Sequence, residues 1–208
     1  MYLIKNILLL GFISLAFSAC STLSKSECLT ANWNTVGYGD GTKGYKASRI
    51  SQHRSACAEY GIAPDLKAYT AGRNQGLDQY CIPLTGYNKG LSGYAYNGVC
   101  SGKNERAFVD ALNYGMVIYK ANRRLSSLKR KYDNQLNYIS QLEGDLHFKE
   151  EQIISGKLSK VKALMLLNET KEIAEELGKT KSNLRNLQMD INDQAGEVAD
   201  LTQRRQFR

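Results

Sequence analysis

Two groups of residues in this chain have side chains able to do chemistry. The first is a polar set in the N-terminal half: Asp40, Arg49, His53, Arg54 and Asp65. An aspartate beside a histidine orients the imidazole as a general base, and an arginine holds an anion in place. Such a site needs a nucleophile, and Ser48 and Ser51 are the nearest hydroxyls in sequence. Neither lies in a GxSxG elbow. The competing reading gives the same residues structural work. Asp40 and Asp65 accept backbone N–H bonds at turns or helix caps, an arginine pairs with one of them, and His53 hydrogen-bonds across the turn near Cys57. The structural reading is the stronger one, and no enzymatic activity is expected.

The second group is the five cysteines. No CxxC pair occurs, and His53 is the only histidine near them, so no metal or other cofactor is expected. Cys20 stands apart because of what precedes it. Lys5 opens a short positive stretch, Ile7 to Phe17 is an apolar run too short to span a bilayer, and Phe17-Ser18-Ala19-Cys20 ends it with small residues. That order reads as a secretory signal peptide over residues 1–19. Its end resembles the lipobox of bacterial lipoproteins, with Phe17 where leucine is usual. The resemblance implies that Cys20 becomes the lipidated first residue of the mature protein. The other four, Cys28, Cys57, Cys81 and Cys100, form an even set in an exported chain, which predicts two disulfides. Three connectivities are open. Pairing sequence neighbours, Cys28–Cys57 and Cys81–Cys100, needs the least loop closure and is preferred.

The elements that must position these residues fall into two regions. After a polar tether over residues 20–27, the stretch 28–104 holds most of the glycines and tyrosines, the only tryptophan and both prolines. This composition predicts short helices and turns. Gly61-Ile62-Ala63-Pro64-Asp65 and Ile82-Pro83-Leu84-Thr85-Gly86 punctuate it. A loose repeat runs through it. Tyr69-x-x-Gly72-x-x-x-Gly76-x-x-x-Tyr80 recurs as Phe108-x-x-Ala111-x-x-x-Gly115-x-x-x-Tyr119, and Gly37/Gly41 recurs as Gly86/Gly90. Residues four apart share a helix face, so these glycines predict close helix packing. A membrane dimer motif is excluded by Arg73, Gln75, Asp78 and Gln79. No nucleotide-binding glycine pattern occurs in the right setting.

From residue 105 to 208 the period is that of a coiled coil. Ala111, Tyr114, Ile118, Ala121, Leu125, Leu128, Tyr132, Gln135, Ile139, Leu142 and Leu146 follow alternating steps of three and four, as do Leu166, Thr170, Ile173, Leu177, Thr180, Leu184, Leu187, Ile191, Gln194, Val198 and Leu201. Residues 154–158, around Ser155-Gly156, separate the two runs. The arms match in length, which predicts an antiparallel helical hairpin. A single bent helix that pairs with a second copy is the alternative, and self-association through the coil goes with it. The expected fold class is therefore mainly α, a small disulfide-stapled Gly/Tyr-rich domain followed by a long helical hairpin.

The chain has 208 residues and a formal net charge of +8, with Arg123, Arg124, Lys129, Arg130 and Lys131 as the densest basic cluster. On a coiled helix this cluster reads as a solvated face. An exported protein rarely meets nucleic acid, so no nucleic-acid partner is expected.

The order of motifs carries a family resemblance. Trp33-x-x-Val36-Gly37-Tyr38-x-Asp40-Gly41-x-x-Gly44 is followed by Ser48-Arg49-x-x-x-His53-Arg54-x-x-Cys57, then by the Tyr69-to-Cys81 and Gly86-to-Cys100 segments. Together they resemble the DUF2799 family of proteobacterial envelope proteins, usually small lipoproteins of no assigned function. The resemblance implies an envelope location and adds no chemistry. Ser21 follows the lipidated cysteine where an inner-membrane retention signal would place Asp. By analogy the expected site is the periplasmic face of the outer membrane, reached through the lipid anchor. The expected role is structural or adaptor-like, with an envelope protein or peptidoglycan as partner. A glycan- or peptide-binding module is the rival, with Tyr87, Tyr94 and Tyr96 as stacking residues.

Overall fold

A computed structural model describes residues 22–204; the expected leader and Cys20 lie outside the described residues. Among the described residues the chain forms seven helices and no strand. They are α1 (Lys25–Leu29), α2 (Trp33–Thr42), α3 (Arg49–Ala58), α4 (Leu66–Tyr80), α5 (Pro83–Leu91), α6 (Lys103–Ile154) and α7 (Lys160–Gln203). None of them is long and apolar enough to cross a membrane.

Local sequence sets the helix starts. Ser24 and Glu27 form a reciprocal capping box at α1, Asn32 accepts from the Thr35 N–H at α2, and Asp65 accepts from the Ala68 N–H at α4. Pro83 opens α5, where its missing N–H has no intrahelical partner to lose. Ser159 caps α7, and Gly156 in the preceding turn takes a φ of +69° that other residues avoid.

Two compact units emerge, and the division falls within α5 and α6. The first runs to Gly86 and takes in Ala95–Ala111; the second comprises Tyr87–Tyr94 and the chain from Leu112 onward. The core of the first unit is Cys28, Trp33, Ile50, Cys57 and Tyr69. The expected disulfides are present: Cys28–Cys57 with 5.5 Å between Cα atoms and Cys81–Cys100 with 5.6 Å. The first lies inside the core. The stretch expected to be a polar tether is folded in its described part. Leu23 packs against the core and Ser24 begins α1, because a capping box and one apolar side chain suffice to order so short a segment.

Helices α2 and α4 cross at backbone contact. A Cβ placed on Gly37 would lie 2.0 Å from the Tyr69 carbonyl oxygen, and one on Gly72 would lie 1.9 Å from that of Asn34. Neither position can carry any other residue without moving backbone. The cost in helix propensity, about 1 kcal/mol per glycine, is offset by this approach and by the aromatic burial around it.

The expected repeat is present as contacts, and it extends further than its sequence signature. Gly37, Gly41 and Gly44 on the α2 side correspond to Gly86, Gly90 and Gly93 on the α5 side. In the first unit Gly86 approaches the Phe108 carbonyl; in the second unit Gly90 approaches that of Leu112. Gly44 and Gly93 both have a φ of +70°, and each lies under a tyrosine ring, Tyr80 and Tyr119 respectively. Each repeat also has one disulfide that joins the chain before its first helix to the chain before its second.

The second unit contains the antiparallel hairpin of α6 and α7. Lys149 pairs with Glu169, Lys181 with Glu143 at 2.7 Å, and the Tyr114 hydroxyl donates to the Leu201 carbonyl at 2.6 Å. The seam positions Ile118, Ala121, Ile139, Leu142, Leu166, Thr180, Ile191 and Gln194 of the expected heptads are buried, and Leu112, off the seam, is buried with them. The turn falls between Ile154 and Lys160, where the periodicity breaks.

Candidate functional site

The first unit contains a buried polar cluster built from three helices and the segment ahead of α1. Each member lies on the inward stripe of its helix. On α2 this stripe is Trp33, Gly37, Asp40 and Gly41; on α3 it is Ile50, His53 and Cys57; on α4 it is Tyr69, Gly72, Arg73, Gly76 and Tyr80. Helical periodicity thus carries Asp40, His53 and Tyr69 inward with the apolar residues around them. Relative exposures are 7 %, 3 % and 1 % respectively.

One oxygen organises the cluster. Asp40 Oδ2 accepts from the Tyr69 hydroxyl at 2.6 Å and lies 2.7 Å from His53 Nε2. Since the carboxylate accepts, Nε2 carries the proton. The other ring nitrogen, Nδ1, is 2.9 Å from Thr22 Oγ1. In the neutral imidazole Nδ1 accepts from that hydroxyl. The rings of His53 and Tyr69 meet edge to face at 6.0 Å between centroids.

Burial works against the charge on Asp40. Hydrogen bonds from His53 and Tyr69, with the electrostatic influence of His53 and the Arg49 guanidinium, outweigh it, and its carboxyl is held below the usual aspartate range. Burial, the hydrogen bond to Asp40 and the negative charge of Asp40 push the Tyr69 phenol well above its ordinary value. The pair is therefore fixed as carboxylate and phenol across the neutral range.

Arginine enters in two ways. Arg73, buried on α4, donates from Nε at 3.1 Å and from Nη2 at 2.8 Å to the Tyr45 carbonyl, which ties down the loop after α2. Arg49 lies over the Tyr45 ring at 4.7 Å and bonds to Gln52. Its buried Nε has no hydrogen-bond partner among the described residues. Tyr45, Lys46, Ser48, Arg49, Gln52 and Asn97 line a shallow cleft of about 220 Å³ beside it.

Of the five polar residues expected to cluster, the structure brings Asp40 and His53 together, with Arg49 close enough to act on both Asp40 and Tyr69 through its charge. Arg54 points to solvent, and Asp65 is the N-cap of α4. Ser48 and Ser51 are exposed, and the hydroxyl on His53 belongs to Thr22. Sequence reasoning missed Thr22, Tyr69 and Arg73 as polar partners. The inward spacing of Tyr69 and Arg73 relative to Gly72 and Gly76 was the available signal. The tyrosines considered for stacking on sugars are engaged otherwise. Tyr87 is buried and stacks near Tyr114 at 6.2 Å, Tyr94 lies under Lys89 Nζ at 4.8 Å, and the Tyr96 hydroxyl accepts from the Cys100 N–H at 2.9 Å.

Chemically the arrangement is a hydrogen-bonded lock in which the Asp40 carboxylate ties α2 to both α3 and α4. Both ring nitrogens of His53 are engaged, and a substrate would have to displace Thr22 to reach one. Among the described residues no group of three or more His, Cys, Asp or Glu side chains is placed to hold a metal ion. No curated protein and no solved structure matches the chain. Residues 32–117, which contain the Asp40–His53–Tyr69 cluster and the repeat glycines from Gly37 to Gly115, match the model of a protein family of unknown function, DUF2799, the family that the motif order resembles.

Proposed function

We propose that this chain is a lipid-anchored protein of the bacterial cell envelope with a structural or adaptor role, held by acylated Cys20 on the periplasmic face of the outer membrane. The observation that carries the role is the hairpin. The 44 residues of α7 make an arm of about 66 Å, and a recess of about 250 Å³ on it is lined almost wholly by charged and polar side chains, Arg124, Asp190, Asp193, Gln194 and Glu197, with Leu128. Such an arm suits contact with a partner at a distance, an envelope protein or the peptidoglycan mesh. Two disulfides support an oxidising compartment. A non-enzymatic role is supported by the closed environment of His53 and Asp40. Acyl labelling tests the reading: cells fed an alkyne fatty acid should yield labelled protein, and Cys20→Ala should yield none while leaving the helical fold intact. Unlabelled wild-type protein that fractionates with the cytoplasm would end the proposal.

The cleft beside Arg49 favours one second reading, recognition of an anionic group such as a peptidoglycan carboxylate. Retention on purified peptidoglycan that Arg49→Ala abolishes, with the disulfides and helicity unchanged, would select it over the adaptor.

A further inference from the structure

The turn end of the hairpin bears an apolar cluster that the paired arms leave uncovered. Ile154 is 83 % exposed, Val161 70 %, Leu164 63 % and Phe148 61 %, with Met165 and Leu167 close to half exposed. Ile154 closes α6 and Val161 lies in the first turn of α7, so only the turn 155–159 separates them. Elsewhere on the arms large exposed apolar residues thin out to Val117, Leu136, Tyr138 and Met189. A concentration of this kind at one end marks a contact surface.

Charge identifies what the surface fits. Between Gln152 and Asn168 the chain has Lys157, Lys160 and Lys162 and no acidic residue. The nearest carboxylates are Glu150, Glu151 and Glu169; Glu151 lies against His147 and Glu169 pairs with Lys149. Lys162 is near enough to Glu169 to act on it through its charge, but the lysines still outnumber the carboxylates at the tip. Apolar side chains rimmed by lysines in excess are the pattern of a segment that enters a lipid headgroup layer. A second copy fits less well. Two-fold pairing of tips would bring the lysines together, and a coil partner would need an apolar stripe along the arms.

We propose that the hairpin tip docks on an anionic lipid bilayer. Ile154, Val161 and Leu164 enter the boundary between headgroups and acyl chains, and Lys157, Lys160 and Lys162 lie against lipid phosphates. This contact is separate from acylation of Cys20 and stands whether or not that cysteine is modified.

The test uses the chain from Ser21 to Arg208, which keeps both disulfides and every described helix and lacks any other lipid attachment. It is floated with vesicles of equal parts phosphatidylglycerol and phosphatidylethanolamine, and with vesicles of phosphatidylcholine alone. The chain should float with the anionic vesicles only, and salt should release it. Lys157→Gln/Lys160→Gln/Lys162→Gln should weaken binding by about a hundred-fold. Ile154→Ser/Val161→Ser/Leu164→Ser should abolish it, with the helical circular dichroism of both variants unchanged. Failure of the wild-type chain to float overturns the proposal. So does equal flotation of all three proteins, which would put the lipid contact elsewhere. Concentration-dependent dimers that the serine variant disperses, without lipid binding by the wild type, would instead make the tip a self-association surface.

Discussion

Replacing Asp40 with alanine tests whether the polar cluster holds the first unit together. The carboxylate accepts from two groups that are themselves buried, the Tyr69 hydroxyl and His53 Nε2. Hydrogen bonds to a charged acceptor are each worth about 1.5–3 kcal/mol, and here both donors would be left without a partner. The two losses share one oxygen and overlap, so the expected destabilisation is about 3–5 kcal/mol. Asp40→Asn keeps an acceptor for Tyr69 and loses only the charge, for which about 1–2 kcal/mol is expected. Trp33, the only tryptophan, belongs to the same core and reports unfolding by fluorescence during a urea titration under oxidising conditions. The alanine variant should lower the midpoint by more than about 1 M. The pH dependence has a definite sign. Asp40 titrates lower in the folded protein than the value of about 3.9 expected unfolded, so its contribution is complete above that value and is lost as pH falls through the folded one. The stability gap between wild type and Asp40→Asn should therefore close on acidification below about pH 4. A midpoint for Asp40→Ala within experimental error of wild type, or a gap that persists in acid, would refute the reasoning.

Further outcomes follow from other contacts. Gly37→Ala puts a methyl group against the Tyr69 carbonyl and should cost at least about 3 kcal/mol in the same titration, whereas Gly39→Ala meets nothing and should be neutral or slightly stabilising. Removing the Cys28–Cys57 bridge as a double serine variant should cost about 2–5 kcal/mol, read as an earlier melting transition. Because the Tyr69 phenol is held above its ordinary range, Tyr69→Phe should leave the phenolate absorbance step near pH 10 unchanged and remove signal only at higher pH. Its stabilising share is present below the unfolded value of about 10 and is lost as pH rises through the folded one. Tyr114→Phe loses a bond that joins the arms, and hydrogen exchange near Leu201 should quicken by a factor of about 2–10.

Much of the fold was legible in sequence because it rests on periodicity and on local chemistry. Steps of three and four located the seam residues Ile118, Ile139, Leu142, Leu166 and Ile191, and the break at Ser155-Gly156 located the turn. Asp65 read correctly as a cap because capping depends on residues three apart. The disulfide pairing followed from loop closure, which depends on separation along the chain. The polar cluster was legible only in part. Asp40 and His53 could be singled out by type, but the second partner of Asp40, Tyr69, depends on where α2 crosses α4. That crossing is set by Gly37 and Gly72, which were read as packing elements with no bearing on Tyr69's hydroxyl. Arg73 entered the sequence reading only as a polar residue that excludes a membrane dimer motif; its length lets the guanidinium reach back to the Tyr45 carbonyl while its stem stays covered. Thr22 was assigned to a tether, since nothing in Ser-Thr-Leu-Ser indicates a distant histidine. The repeat showed the same division. Its glycine spacings were visible, whereas the tyrosine rings over Gly44 and Gly93 needed three dimensions to be recognised.

The central claim is a first unit braced by two disulfides formed between sequence neighbours, Cys28–Cys57 and Cys81–Cys100. Non-reducing peptide mapping of protein taken from its native compartment, with free thiols alkylated on lysis, tests it most directly. The account predicts peptides that join Cys28 to Cys57 and Cys81 to Cys100, with none of the four alkylated. Alkylated Cys28 and Cys57, or a peptide that joins Cys57 to Cys81, would contradict it.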